Sequence, residues 1–231
     1  MKIIFIHLLN DFSGSPKVLS QLINGISNSD FEYKIITSQS ESGFLSKHNK
    51  KHIIFYDYHH HGNKLITLFR YLQSQIKVFT LLFPLRKDKD IVIYINTLLP
   101  FGAAIFGKIY SKPVIYHIHE VSITPSILKS FLLMVLKKTA SKIIYVSRYL
   151  KEEYNISSIK SEIISNSIPT DFLLKANHTP YSGFSKNGVF RILMICSLKK
   201  YKGILEFITI AKKLKKNSKK FILNSLINQN K

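Results

Sequence analysis

"MKIIFIHLLNDFSGSPKVLSQLINGI" (Met1–Ile26) begins with an apolar run, passes through a loop of small residues and ends in a helical pattern. The run Lys2–Leu9 is apolar almost throughout, as a strand buried on both faces should be. A secretory leader would need a longer apolar stretch and a small-residue cleavage site, whereas here His7 interrupts the run. After the loop, Ser15 is expected to cap a helix with Pro16 at its first position. Val18, Leu19, Leu22, Ile23 and Ile26 then form one apolar face. Gly14 lets the backbone come close to a ligand, and the free amides of the helix start suit an anion such as a phosphate. A plain strand-to-helix turn would look the same.

The same alternation repeats down the chain. Apolar runs at Tyr33–Ser38, His52–Asp57, Ile91–Asn96, Pro113–Glu120, Lys142–Ser147, Glu162–Ser165 and Phe190–Ser197 read as strands. Helical patterns lie between them at Ser15–Asn28, Asn63–Phe83, Leu98–Tyr110, Thr124–Thr139 and Arg148–Tyr154. Strand alternating with helix predicts an α/β protein with a doubly wound parallel sheet. The stretch Lys175–Gly188, "KANHTPYSGFSKNG", breaks the rhythm and reads as a linker. Domain boundaries are therefore expected at 1–174, a linker at 175–189, and a second α/β segment at 190–231. That last segment opens with "ICSLKKYKGILEFITIAKKL" (Ile195–Leu214), a strand, a basic loop and an amphipathic helix. Its tail "KKFILNSLINQNK" starts where a further strand belongs and then loses the pattern.

Of 231 residues, 34 are Lys or Arg and 13 are Asp or Glu, a formal charge of +21. Such a field favours anionic partners: nucleic acid, an anionic membrane face or phosphorylated substrates. Zinc spacing, a helix-turn-helix and an aromatic–glycine platform are all missing, so nucleic acid is not expected. A single cysteine, Cys196, rules out an internal disulfide and suits a reducing, cytoplasmic compartment. No run reaches the about 18 apolar residues of a membrane span. The nearest are Ile76–Leu85 and Ile127–Lys138.

Several places carry chemistry. In "YHIHEVSITP" (Tyr116–Pro125), strand alternation puts His117 and His119 on one face and Ile118 and Glu120 on the other. They stand at the carboxyl end of a strand, where open α/β sheets bind ligands. The pair lacks further His or Cys in ligand spacing, so no metal is expected; acid–base work or a sugar hydroxyl fits better. Ser147 ends a strand and caps the next helix. "HHH" (His59–His61) reads as a solvated loop. Lys199, Lys200 and Lys202 crowd a loop that ends in Gly203, which suits a diphosphate or is a solvated basic loop.

Taken in order, these pieces resemble a GT-B glycosyltransferase of the large retaining family 4 type, from Lys2 to about Leu214. "FSGSPKVLSQL" resembles the family's first loop and helix, with Gly14 at one glycine position and Ser13 at the other. "VIYHIHE" places His119 and Glu120 on its His-acid pair, and "ASKIIYVSRYLKEEY" carries its Val-x-Ser. "EIISNSIP" resembles the Asn-Gly-Ile/Val segment, where Asn166 matches and Ser167 replaces the glycine. "ICSLKKYKG" resembles the opening of the second domain: Lys202 and Gly203 match, while Cys196 and Ser197 stand where Gly and Arg are common.

The resemblance implies two Rossmann-like domains, the first holding the acceptor and the second a nucleotide-sugar, which serves as co-substrate with no further cofactor. It implies transfer of a sugar, with retention, to a polysaccharide or lipid-linked acceptor. His119 becomes the catalytic candidate beside the reacting sugar. Gly14, Ser15, Asn96, His117, Glu120, Ser147 and Asn166 become acceptor or donor contacts, and Lys199, Lys202 and Gly203 diphosphate contacts. The family's Glu-x7-Glu motif would fall beyond residue 231, so the chain is expected to be a truncated front half, inactive alone. A non-catalytic Rossmann-like binding module is the alternative; the missing Gly-x-Gly-x-x-Gly and P-loop speak against standard nucleotide fingerprints. Ile127–Lys138 has two readings: a core-facing helix with a lysine edge, or a peripheral contact with the anionic inner face of the cell membrane.

Overall fold

The computed structural model describes residues 1–26, 31–38, 43–121, 123–178, 190–196, 202–217 and 221–227. It divides into two compact units, Met1–Ser167 and Ile168–Lys231. The first contains β1 (Lys2–Ile6), α1 (Gly14–Ile26), β2 (Glu32–Ser38), β3 (Ile53–Tyr56), α2 (Lys64–Leu82), β4 (Ile91–Asn96), α3 (Phe101–Ile109), β5 (Val114–Ile118), α4 (Ser126–Thr139), β6 (Lys142–Tyr145), α5 (Arg148–Tyr154) and β7 (Ser161–Ile163). Its seven strands pair in the order β3-β2-β1-β4-β5-β6-β7. Every pairing is parallel. This is a Rossmann-like, doubly wound α/β sheet.

Strand alternation decides which core each residue joins. Ile4 and Ile6 of β1, Ile93 and Ile95 of β4, and Tyr116 and Ile118 of β5 share a core with Val78, Phe106, Leu132 and Leu136, from α2, α3 and α4. The intervening Phe5 and Tyr94 join Leu19 and Ile23 of α1 on the opposite face. The chain changes faces at the β3–α2–β4 crossover, so the strand order reverses between β1 and β4. That switch point opens a crevice at the carboxyl ends of the strands.

Two glycines let helices approach closely. A Cβ on Gly102 would overlap the Gln75 carbonyl of α2, and one on Gly107 would overlap the Val114 side chain. The Gly102 amide also donates to Gln75 Oε1 at 3.1 Å.

Three local expectations are corrected. Helix α1 begins at Gly14, so Ser15 lies inside the first turn and does not cap it. Asp11 accepts from the Ser13 amide at 2.8 Å, and the Ser13 carbonyl accepts from Lys17 N at 3.4 Å, so the cap position falls on Ser13. Pro16, third in the helix, still loses nothing by lacking an N–H there. Helix α3 starts only after Pro100, because Thr97–Leu99 form a loop at the end of β4.

The second unit contains α6 (Thr170–Asn177), β8 (Phe190–Cys196), α7 (Ile204–Asn217) and β9 (Phe221–Ile227). β8 and β9 run parallel in full register, from Phe190 opposite Phe221 to Cys196 opposite Ile227. The third correction lies here: β9 stands where the tail was read as starting a further strand, but the order expected to fade continues to Ile227, because β8 supplies a pairing partner that a local pattern does not reveal. Residues 175–177 of the expected linker belong to α6, and 179–189 lie outside the described residues.

Candidate functional site

The carboxyl ends of β1, β4 and β5 bring four polar side chains to the switch point. By alternation, His7 follows Phe5, Asn96 follows Tyr94, and His117 and His119 follow Ile115, all on the α1 face. Parallel register sets Ile6 opposite Ile95 and Asn96 opposite His117. His7, Asn96 and His117 are buried, and His119 is partly buried.

Asn96 is the hub. Its Nδ2 donates to the Ser15 carbonyl in the first turn of α1 at 3.1 Å. A carbonyl can only accept, so this bond sets the amide orientation. Asn96 Oδ1 therefore faces His119 Nε2, at 2.9 Å, and Nε2 must carry the proton. His119 Nδ1 is left with its lone pair, an acceptor. His7 Nδ1 lies 3.1 Å from both the Asn96 main-chain oxygen and Asn96 Nδ2, and its tautomer decides whether it donates to the first or accepts from the second.

His117 stacks obliquely on His119, with ring centroids 4.2 Å apart. Its Nδ1 meets the Tyr94 hydroxyl at 3.0 Å, while its buried Nε2 has no hydrogen-bond partner among the described residues.

Burial makes all three imidazoles poor bases. Desolvation lowers His7 and His117 to about 4, and His119 to about 3, where His117 and His7 add like-charge repulsion. At neutral pH the cluster is uncharged. His119 is thus better suited to hydrogen bonding than to carrying protons, since a general base works best with a pKa near the operating pH.

Glu120 faces the other way, as alternation predicts, and braces the β4–α3 loop. Its Oε1 accepts from Leu98 N and its Oε2 from its neighbour His119 N, both at 3.3 Å. The Tyr154 hydroxyl donates to its main-chain carbonyl at 2.8 Å. Burial raises the carboxyl, and the backbone amides oppose that shift. The loop it braces contains Thr97 at φ 86°, an uncommon backbone for a β-branched residue. The Thr97 amide also donates to the His117 carbonyl at 2.8 Å. Buried bonds on both sides hold this turn.

Ser15, Asn96, His117, His119 and Glu120 are thus gathered at one point. Gly14 adjoins Ser15, and space beside its Cα is open: a Cβ there would meet nothing within 4 Å. Ser147 ends the next strand over, and its hydroxyl accepts from Leu150 N at 3.2 Å as the cap of α5. Asn166 is exposed beyond the end of β7, which lies two strands from β5. In the second unit, Lys202 and Gly203 immediately precede α7. Gly203 has φ 80°, which favours glycine, and its carbonyl accepts from Phe207 N at 2.9 Å. Lys199 and Lys200 lie outside the described residues.

His59–His61 are exposed, and His59 Nε2 lies 2.9 Å from Asp57. Among the described residues no group of three His, Cys, Asp or Glu is placed to hold a metal ion. Two residues of the cluster, His7 and Tyr94, escape a motif reading. The one local sign of His7 is a polar residue ending an apolar strand.

The sequence matches the family described as Glycosyltransferase Family 4 over residues 12–172. No curated protein matches it. Among solved structures, the Staphylococcus aureus MnaA–UDP co-structure has a TM-score of 0.57 at 12% identity, over 99% of this chain and 62% of that one. A putative UDP-N-acetylglucosamine 2-epimerase from Listeria monocytogenes gives 0.60 at 11%, over 99% and 63%. MurG from Acinetobacter baumannii gives 0.56 at 9%, over 100% and 69%. At such identities the likeness concerns the fold. The chain spans less than two thirds of the length of the first two.

Proposed function

The chain belongs to glycosyltransferase family 4, and from that premise we propose that Met1–Ser167 is the acceptor-side half of an enzyme that transfers a sugar from a nucleotide-sugar, with retention, to a polysaccharide or lipid-linked acceptor. In that reaction the bond from the anomeric carbon to the diphosphate breaks. A bond from that carbon to an acceptor oxygen forms, and the acceptor's proton ends on the leaving diphosphate. The observation that carries the reading is the Asn96–His119 pair beside the start of α1. It leaves a neutral imidazole with a lone pair at Nδ1 in the switch-point crevice. Such a group can accept a hydrogen bond from a hydroxyl of the reacting sugar and position it.

Gly14 and the first amides of α1 are proposed to meet the diphosphate, and Lys202 and Gly203, which precede α7, are proposed separately as diphosphate contacts of the second unit. His117 orients His119 by ring contact, and Glu120 holds the adjoining loop. The UDP of the S. aureus MnaA co-structure supports a nucleotide-sugar donor. We propose that transfer requires a donor-binding half of the length found in these relatives, and that the acceptor is presented at an anionic cytoplasmic membrane face.

The test compares the chain alone with the chain joined to a complete donor-binding half. Labelled nucleotide-sugars and saccharide or polyprenyl-phosphate acceptors are supplied, and product anomers are read by NMR. His119→Ala should lower kcat by about 10²-fold or more. Asn96→Leu should lower it through the lost tautomer preference while leaving the pH profile flat between 6.5 and 8. Failure of both proteins to bind or hydrolyse any donor would instead favour a non-catalytic Rossmann-like module.

A further inference from the structure

Helix α2 buries polar residues and exposes apolar ones. Its buried side carries Tyr71, Ser74 and Gln75 alongside Val78 and Leu82. These polar groups are satisfied within the layer: Ser74 Oγ donates to the Tyr71 carbonyl at 2.6 Å, Gln75 Nε2 donates to Ser74 Oγ at 3.0 Å, and the Tyr71 hydroxyl donates to the Leu99 carbonyl at 2.5 Å. Its outer side carries Leu65, Leu68, Phe69, Leu72 and Ile76, a stripe at i, i+3, i+4, i+7 and i+11. Leu65 is 76% exposed, Phe69 61% and Ile76 67%. Scattered exposed apolar residues are ordinary, but a continuous helical stripe on a helix that also buries the polar Ser74 and Gln75 marks an interaction surface.

Charge identifies what covers it. Residues 58–87, which include all of α2, contain no Asp or Glu. Arg70 and Lys77 flank the stripe, with Lys64 at its start. The neighbouring α3 and α4, packed in sequence beside α2, are equally free of acid. α4 adds Ile127, 81% exposed, at its first turn and Lys137 and Lys138 at its last. Two copies of such a face in a symmetric dimer would set like charges against each other. An apolar stripe edged by Lys and Arg is instead the pattern of a helix lying in the headgroup region of an anionic bilayer. None of the described helices is long and apolar enough to cross a membrane.

We propose that the outer face of α2, extended by the first turn of α4, docks the protein on an anionic lipid surface. This sharpens the membrane part of the proposed function and moves its centre from Ile127–Lys138 to α2. The placement is consistent with delivery of a lipid-linked acceptor. α2 and α4 both begin at the carboxyl edge of the sheet, the edge that carries His119. Leu65, Phe69 and Ile127 therefore stand at the same end of the fold as the site.

The full chain should co-sediment with phosphatidylglycerol vesicles at least about tenfold more tightly than with phosphatidylcholine vesicles, and less as salt rises. The double variant Leu68→Glu/Phe69→Glu, at exposed positions and with unchanged circular dichroism, should lose about tenfold or more. Arg70→Gln/Lys77→Gln should lose about fivefold per charge. The proposal is overturned by wild-type binding without anionic preference, or by variants that bind within twofold of wild type. A dimer that Leu68→Glu/Phe69→Glu splits, with no vesicle binding, overturns it in favour of a second copy as the occupant. The vesicles hold neither donor nor acceptor, so the result is separate from sugar transfer. Vesicle binding without transfer supports the surface and sinks only the transfer reading; transfer without vesicle binding sinks only the surface.

Discussion

Lowering the pH from 7 to 5 should destabilise the first unit by several kcal/mol, because its sheet crevice holds three imidazoles that fold uncharged. Burial keeps His7 and His117 at about 4 and His119 at about 3, against an unfolded value of about 6.5. Between those values the unfolded chain binds protons that the folded chain refuses. The stability that goes with neutral imidazoles is therefore complete above about pH 6.5 and is lost as pH falls towards 4. At pH 5 each group costs about 2 kcal/mol, and the three together about 6 kcal/mol. A domain's whole stability is about 5–15 kcal/mol. Glu120 acts in the opposite sense: burial raises its carboxyl, so the folded state takes up that proton first and is favoured as the solution turns acid. Its contribution trims the loss without reversing it. Urea titrations at the two pH values, followed by near-ultraviolet circular dichroism, measure the difference; with 12 Tyr and no Trp that signal reports tyrosine packing. His7→Asn should reduce the pH-dependent loss by about 2 kcal/mol. A total change below about 2 kcal/mol, or no effect of His7→Asn, would refute the claim that these histidines are buried and neutral.

Gly102→Ala should destabilise by about 1–3 kcal/mol, since its methyl would overlap the Gln75 carbonyl and push α3 off α2; equilibrium unfolding reads this directly. Glu120→Gln turns an amide donor towards either Leu98 N or His119 N and should cost about 1–3 kcal/mol, visible as a Tm lowered by about 5 °C. Ser147→Ala removes the α5 cap and should cost about 1 kcal/mol, with faster hydrogen exchange at the Leu150 amide.

Much of this molecule was legible in the sequence because strand and helix periods are local. The unbroken apolar run Ile3–Ile6, the apolar face of α1 and the run Arg148–Tyr154 each state their own element, and α5 occupies those same residues. Strand period also put His117 and His119 on one face and Glu120 on the other. The helix cap was misplaced by two residues because a side chain outside the helix, Asp11, sets it. The start of β9 was legible but its extent was not, because a parallel strand owes its order to a partner 31 residues away.

The site belongs to the tertiary structure. Nothing local joins His7 to Asn96, 89 residues apart. They meet because β1 and β4 pair at the point where the strand order reverses, a choice made by the packing of helices on both faces of the sheet. That pairing turns Asn96 from a strand end into the group that sets the proton of His119. Packing likewise divides the mixed pattern of α2 into an inner side of Tyr71, Ser74, Gln75, Val78 and Leu82 and an outer side that carries the apolar stripe. Period alone says that a helix has two faces; only its neighbours decide which one the core receives.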